Sequence, residues 1–221
     1  MALGLIGKKL GTNRIFNPDG DVIPVTVIEA GPCLVTQVKD EKKDRYSAVQ
    51  LGFDEAKVKN VSKALQGHFR KASGSPRRVL REFRVNSEDL SSLSPGQQVT
   101  VSMFRPGDRV DVTGFSKGRG FSGPIKRHGF HGFPGSHGTH EYFRHGGSVG
   151  SRFPQGTLRG HRMAGQYGDE KTTVQNLQIV DVKEAQNLLV VKGAVPGARN
   201  GYLVIRPAKR QSRGKSQSKT A

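Results

Sequence analysis

From residue 114 to residue 168 no hydrophobic period of either helix or strand is legible, although the chain is patterned on both sides of this stretch. Residues 112–168 hold 15 of the 29 glycines and 6 of the 7 histidines, and only about a sixth of them are Leu, Ile, Val or Phe. Ordering a backbone costs roughly 1–2 kcal/mol per residue, and so few apolar side chains do not offset that cost. The stretch therefore has no core of its own. A structureless loop of this length is uncommon inside a compact domain, and is generally functional or disordered. Whatever the chain folds into must accommodate it as an insertion.

The flanks read as short strands. Val22-Ile-Pro-Val-Thr-Val-Ile28 is β-branched and runs into the turn signal Glu29-Ala-Gly-Pro32. Leu34-Val-Thr-Gln-Val38 and Tyr46-Ser-Ala-Val-Gln-Leu51 alternate apolar and polar residues, as half-buried strands do. Further strands are predicted at 79–85, 99–104, 109–113, 172–182, 187–191 and 202–205, and a short helix within 54–67. Many short strands with turn signals between them, and no long helical period, point to a mainly β, antiparallel barrel or sandwich with little helix. Its core is expected to draw on 1–113 and 169–208, with 54–100 as an α/β elaboration and 114–168 as an irregular Gly/basic-rich extension. Residues 209–221 are low in complexity, basic, and expected to be a disordered tail.

Charge follows the same division. The chain carries 36 Lys+Arg against 18 Asp+Glu, a net of +18. Residues 1–38 and 169–205 are each neutral, whereas 112–168 hold eight basic residues and the single acid Glu141, and 206–221 hold six basic residues and no acid. A block of one sign is usually solvated, disordered or docked on the opposite charge. An anionic partner is implied.

Other classes fall away. Leu, Ile, Val and Phe make up about a quarter of the chain, above the roughly 20% that marks a highly charged chain as wholly disordered. No apolar run approaches the 18 or so residues of a membrane helix, and the opening Met1-Ala-Leu-Gly-Leu-Ile-Gly-Lys8-Lys9 runs out of apolar residues too early for a signal peptide. Cys33, the sole cysteine, forms no internal disulfide or cysteine zinc site and reads as a small buried hydrophobe. Gly118-Arg-Gly-Phe-Ser-Gly123 matches G-x-G-x-x-G, but glycines at 129, 132, 135 and 138 forbid the helix that a dinucleotide phosphate requires. His140-Glu-Tyr-Phe-Arg-His145 places its second histidine one position too late for H-E-x-x-H, about 140° away on a helix. No catalytic residue, metal site or cofactor is predicted.

The chemistry of the insertion suits RNA. Lys117, Arg119, Lys126, Arg127, Arg144, Arg152, Arg159 and Arg162 are placed to neutralise phosphates. Phenylalanines at 115, 121, 130, 133, 143 and 153, with His128, His131, His137, His145 and His161, offer planes for stacking or ring nitrogens for hydrogen bonds. Lys8, Lys9 and Arg14 read equally well as RNA-facing or as decoration of the β domain.

Several motifs resemble a known family. Leu3-Gly-Leu-Ile-Gly-Lys-Lys-Leu-Gly11, Val110-Asp-Val-Thr-Gly-Phe-Ser-Lys-Gly-Arg-Gly-Phe-Ser-Gly-Pro-Ile-Lys-Arg-His128, Gly146-Gly-Ser-Val-Gly150, Arg162-Met-Ala-Gly165 and Asn187-Leu-Leu-Val-Val-Lys-Gly-Ala-Val-Pro-Gly197 occur in the order found in the universal large-subunit ribosomal protein three family, in its bacterial form. The match spans about 3–208. Thr12-Asn13 stands where the family usually has Met-Thr, and Ser151 to Leu158 departs from its commonest loop tip. The resemblance implies a closed β-barrel on the solvent side of the subunit and an extension threading through rRNA toward the peptidyl-transferase region. The tip would be Gly147 to Gln155, which includes Ser148. It further implies a non-catalytic, cytoplasmic role within the large subunit: early binding of large-subunit rRNA, nucleation of assembly, and contact with neighbouring ribosomal proteins. No membrane or small-molecule partner is expected.

Overall fold

The computed structural model describes residues 3–17, 20–72, 74–86, 90–153 and 155–209. The expected tail therefore lies, beyond Lys209, outside the described residues. In chain order the elements are β1 (Leu5–Phe16), β2 (Val22–Ala30), β3 (Cys33–Lys39), α1 (Glu41–Asp44), β4 (Ala48–Glu55), α2 (Lys63–Lys71), β5 (Arg77–Arg84), β6 (Gln98–Val99) and β7 (Arg109–Phe115). Then follow β8 (Phe121–Ser122), α3 (Pro124–His128), β9 (Gly165–Gln166), β10 (Lys171–Lys183), β11 (Leu188–Lys192) and β12 (Tyr202–Pro207). The chain is mainly β with little helix. It divides into two units, Met1–Phe115 with Lys171–Ala221, and Ser116–Glu170.

In the first unit the period-2 pattern of the sequence becomes a wall with two faces. Along β7 the residues Val110, Val112 and Gly114 are buried, while Arg109 and Phe115 are exposed. Leu203 and Ile205 of β12 repeat the pattern. Six strands close into an antiparallel barrel in the order β1-β12-β7-β10-β11-β2, with β2 returning to β1. Register shifts bend its longest strands, between Lys9 and Gly11 on β1 and between Ile179 and Asp181 on β10. Such extra residues increase local twist and let a sheet curl shut. A second antiparallel sheet, in the order β5-β4-β3-β6, shares one core with the barrel: Leu5, Ile28, Val112 and Ile205 belong to the same cluster as Val35, Leu51 and Phe83.

Three local readings differ from expectation. β1 carries no clean alternation in sequence because Gly7 and Gly11 interrupt it. Gly7 is required by packing, since a Cβ there would meet the Glu29 carbonyl oxygen and the Ile28 side chain. Of the strand predicted at 99–104 only Val99 forms, as the second residue of β6. Val101–Met103 instead turn as a 3-10 helix, which buries Val101 and Phe104. The helix predicted within 54–67 lies later. Asp54 and Glu55 complete β4, where Glu55 pairs with Arg77, and α2 starts only after Ser62, whose hydroxyl accepts from the Leu65 N–H.

Cys33 is buried, its thiol donating to the Ile6 carbonyl at 3.4 Å, and burial pushes its pKa up to about 11. It is a core residue, as its sequence context suggests. Lys9 is equally structural: its ammonium donates to the Val195 and Gly197 carbonyls at 2.9 and 3.1 Å. Arg14 is exposed and Lys8 half-exposed.

Candidate nucleic-acid interface

Glycine-rich, apolar-poor sequence leaves the second unit, Ser116–Glu170, to organise itself through backbone bonds. At its base the Ser116 N–H donates to the Glu170 carbonyl at 2.9 Å, and the Glu170 N–H donates to Ser116 Oγ at 3.2 Å. Arg119 N–H to the Tyr167 carbonyl and Tyr167 N–H to the Gly120 carbonyl continue the ladder, and β8 pairs with β9 through Phe121–Gln166 and Ser122–Gly165. The guanidinium of Arg119 lies over the Tyr167 ring at 5.3 Å, a cation–π contact.

Helix α3 has the form that its sequence dictates. Pro124 sits in its first turn, where a missing N–H costs nothing, and Gly129 ends it with φ +73°. Five residues are too few to present a helix N-terminus to a dinucleotide. Arg127 Nη1 donates to the Met163 carbonyl at 3.0 Å, and His128 Nε2 lies 3.0 Å from the same oxygen. A carbonyl only accepts, so that histidine nitrogen carries the proton. These two bonds tie α3 to the returning chain. Farther out, Phe133 N–H donates to the Phe143 carbonyl, the Tyr142 and His145 rings meet edge-on at 4.9 Å, and Ser148 Oγ donates to the Gly150 carbonyl.

The sequence-predicted residues lie on the outside of this scaffold. Lys117, Arg119, Lys126, His131, His137, Arg144, His145, Ser148, Arg152, Arg159, His161 and Arg162 are exposed, and Arg127 and His128 partly so. Among the described residues of the unit only Ser122 and Gly168 are buried. Eight of the thirteen exposed large hydrophobics are here, including Phe121 at 81% and Phe153 at 70% exposure. Arg152 lies over the Phe153 ring at 5.5 Å. Among the described residues no three His, Cys, Asp or Glu side chains gather closely enough to hold a metal ion. Sequence reasoning passed over Tyr142 and Tyr167, whose rings pack on His145 and Arg119. Tyr142 carried a signal, since it lies between His140 and Arg144; Tyr167, between Gln166 and Gly168, carried none.

A folded β domain that carries a basic, aromatic-studded segment without a core has the make-up of a ribonucleoprotein component. Comparisons with known proteins narrow this class. The family model for ribosomal protein L3 matches residues 82–188. The large ribosomal subunit protein uL3 of Carboxydothermus hydrogenoformans is 49% identical over 208 residues, covering 94% of this chain and 98% of its own. Its counterpart in Thermotoga maritima is 52% identical over 206 residues, covering 93% and 97%, and that of Acidothermus cellulolyticus is 50% identical over 206 residues, covering 93% and 92%. The chain belongs to the ribosomal protein L3 family.

Proposed function

We propose that this chain is a structural, non-catalytic constituent of the large ribosomal subunit in the cytoplasm. It binds large-subunit rRNA, helps nucleate assembly, and lies beside other ribosomal proteins. The barrel acts as the folded anchor on the solvent side. Residues 114–168 act as an extension running through rRNA toward the peptidyl-transferase region, with Gly147 to Gln155 at its tip. The observation that carries this reading is the surface of Ser116–Glu170, which exposes eight large hydrophobics together with its cations and, among the described residues, buries no apolar side chain. Such a surface is unfavourable in water and suited to a partner that supplies both phosphates and unpaired bases.

Roles follow from chemistry. Lys117, Lys126, Arg144, Arg152, Arg159 and Arg162 neutralise phosphates and release counterions. Arg119, braced on Tyr167, presents a stacking plane. His131, His137, His145 and His161 stack or hydrogen-bond, and Ser148 shapes the tip. Arg127 and His128 hold α3 to Met163 and offer their remaining edges to RNA. The test is nucleotide-resolution footprinting on large-subunit rRNA at physiological salt with excess unrelated RNA. Protection confined to defined large-subunit segments, and reduced by Arg144→Gln with Arg152→Gln, is expected. Protection displaced by any RNA would reduce the protein to a nonspecific binder and defeat the reading.

A further inference from the structure

The barrel itself carries a feature that the extension does not explain. On its outer wall, where β7, β10 and β12 face β5, the terminal strand of the second sheet, lies a recess of about 350 Å³. Val79 and Val204 form apolar walls, Phe115 and Tyr202 supply aromatic rings, and Arg81 and Lys171 are exposed cations in the same lining. No carboxylate lines it, and neither cation has an acidic partner among the described residues. Phe115 sits opposite Lys171 in the β7–β10 ladder and remains 54% exposed, although its neighbours Val112 and Gly114 are buried. Tyr202 is held from behind: its hydroxyl donates to Asp54 Oδ2 at 2.6 Å, and its ring meets Phe53 edge-on at 6.4 Å.

We propose that this recess takes one unstacked nucleotide of RNA, with the base against Phe115 and Tyr202 and the flanking phosphates at Arg81 and Lys171. The inference rests on the RNA-binding reading above, but it assigns a second contact on the folded domain, separate from residues 116–170. Two features favour a nucleotide over a protein side chain. Fixed aromatic rings flanked by cations are how single-stranded nucleic acid is held irrespective of sequence. Lysine is depleted from the centres of protein interfaces, whereas phosphate requires a cation. The pocket is preorganised, because the Tyr202–Asp54 bond fixes one ring before any base arrives, so less ordering cost falls on binding.

Full-length protein bound to large-subunit rRNA tests this. Phe115→Ala is expected to weaken binding by about 5- to 150-fold, the range of a lost base–aromatic stack, and to remove protection at an unpaired nucleotide. Phe115→Tyr keeps the stack and should keep both. Lys171→Met should lower the slope of log affinity against log salt by about one, as loss of a single phosphate contact does. It gives an independent readout should Phe115→Ala lower the melting temperature. Unchanged affinity, footprint and salt slope in both variants would overturn the proposal and leave the extension reading intact. If Arg144→Gln with Arg152→Gln also had no effect, the reading beneath it would fall as well. Loss of a neighbouring ribosomal protein from a reconstituted particle, with every RNA protection retained, would assign the recess to a protein and overturn the proposal too.

Discussion

Phe83 and Phe121 belong to one chain and have opposite surroundings: the first is 1% exposed in the shared core, the second 81% exposed in the Ser116–Glu170 unit. Around Phe83 the signs are mixed. Lys39 meets Glu82 at 2.7 Å and Arg77 meets Glu55 at 3.2 Å, and the apolar side chains of two sheets close over the ring. Around Phe121 one sign prevails and the backbone supplies the order. The same residue type thus marks a completed interior in one region and an unfinished one in the other. Hydrophobic exposure alone would suggest a docking surface for protein. Exposure combined with eight cations and one acid across residues 112–168 suggests RNA.

The comparison breaks most readily under protease. Free protein should be cut within 116–170 at least about a hundredfold faster than in the barrel, because local opening in a segment with no core is nearly free while opening the core costs most of the global stability. Binding to rRNA should remove that difference, and equal cutting in free and bound protein would contradict the assignment. Next in size is truncation of the two phenylalanines. Phe83→Ala should cost about 3–5 kcal/mol in denaturant unfolding, whereas Phe121→Ala should stay within about 0.5 kcal/mol and be felt in rRNA affinity instead.

The smallest effect sharpens the mixed-sign side of the comparison. The hydrogen bond from Lys39 holds the Glu82 carboxyl below its ordinary value, against a smaller opposing effect of burial, and Glu82 in turn holds the Lys39 ammonium above its own. A depressed carboxylate adds stability above its unfolded pKa and loses it as pH falls through the folded value. A raised lysine adds stability below its unfolded pKa and loses it only as pH rises through the folded one. Glu82→Gln should therefore cost about 0.2–1 kcal/mol at neutral pH, the range for a partly exposed pair, and nothing once acid has protonated the native carboxylate. Urea melts at pH 7 and in strong acid would show it.

How much of this was legible in sequence depends on how local the cause was. β7 could be read because alternation is written residue by residue into Val110-Asp-Val112, and β11 and β12 because Leu188-Leu-Val-Val191 and Leu203-Val-Ile205 are short, β-branched apolar runs. β1 escaped periodicity because Gly7 and Gly11 interrupt it, and Gly7 is there to let Glu29, far away in sequence, pack close. The 99–104 stretch misled because Val101 and Phe104 are buried from a turn, which gives the same apolar composition as a strand. The cations of residues 116–170 could be read from composition, since almost no acidic side chain there pairs with them. That Arg127 and His128 converge on one carbonyl, or that Phe115, Tyr202 and Arg81 meet at one recess, depends on distant stretches of chain brought together only by folding.

The pairing at the root of the Ser116–Glu170 unit has a consequence for length. Phe115 and Lys171 are fixed opposite each other by the barrel ladder, and Ser116 and Glu170 by their own backbone bond, so both chain ends of the segment leave from set points. Closing a longer loop between fixed ends costs only about 0.6 kcal/mol for each doubling. Residues added or removed beyond the β8–β9 pairing are expected to leave the barrel register untouched. The root is thus a joint, at which a segment of another length could be exchanged on the same β domain.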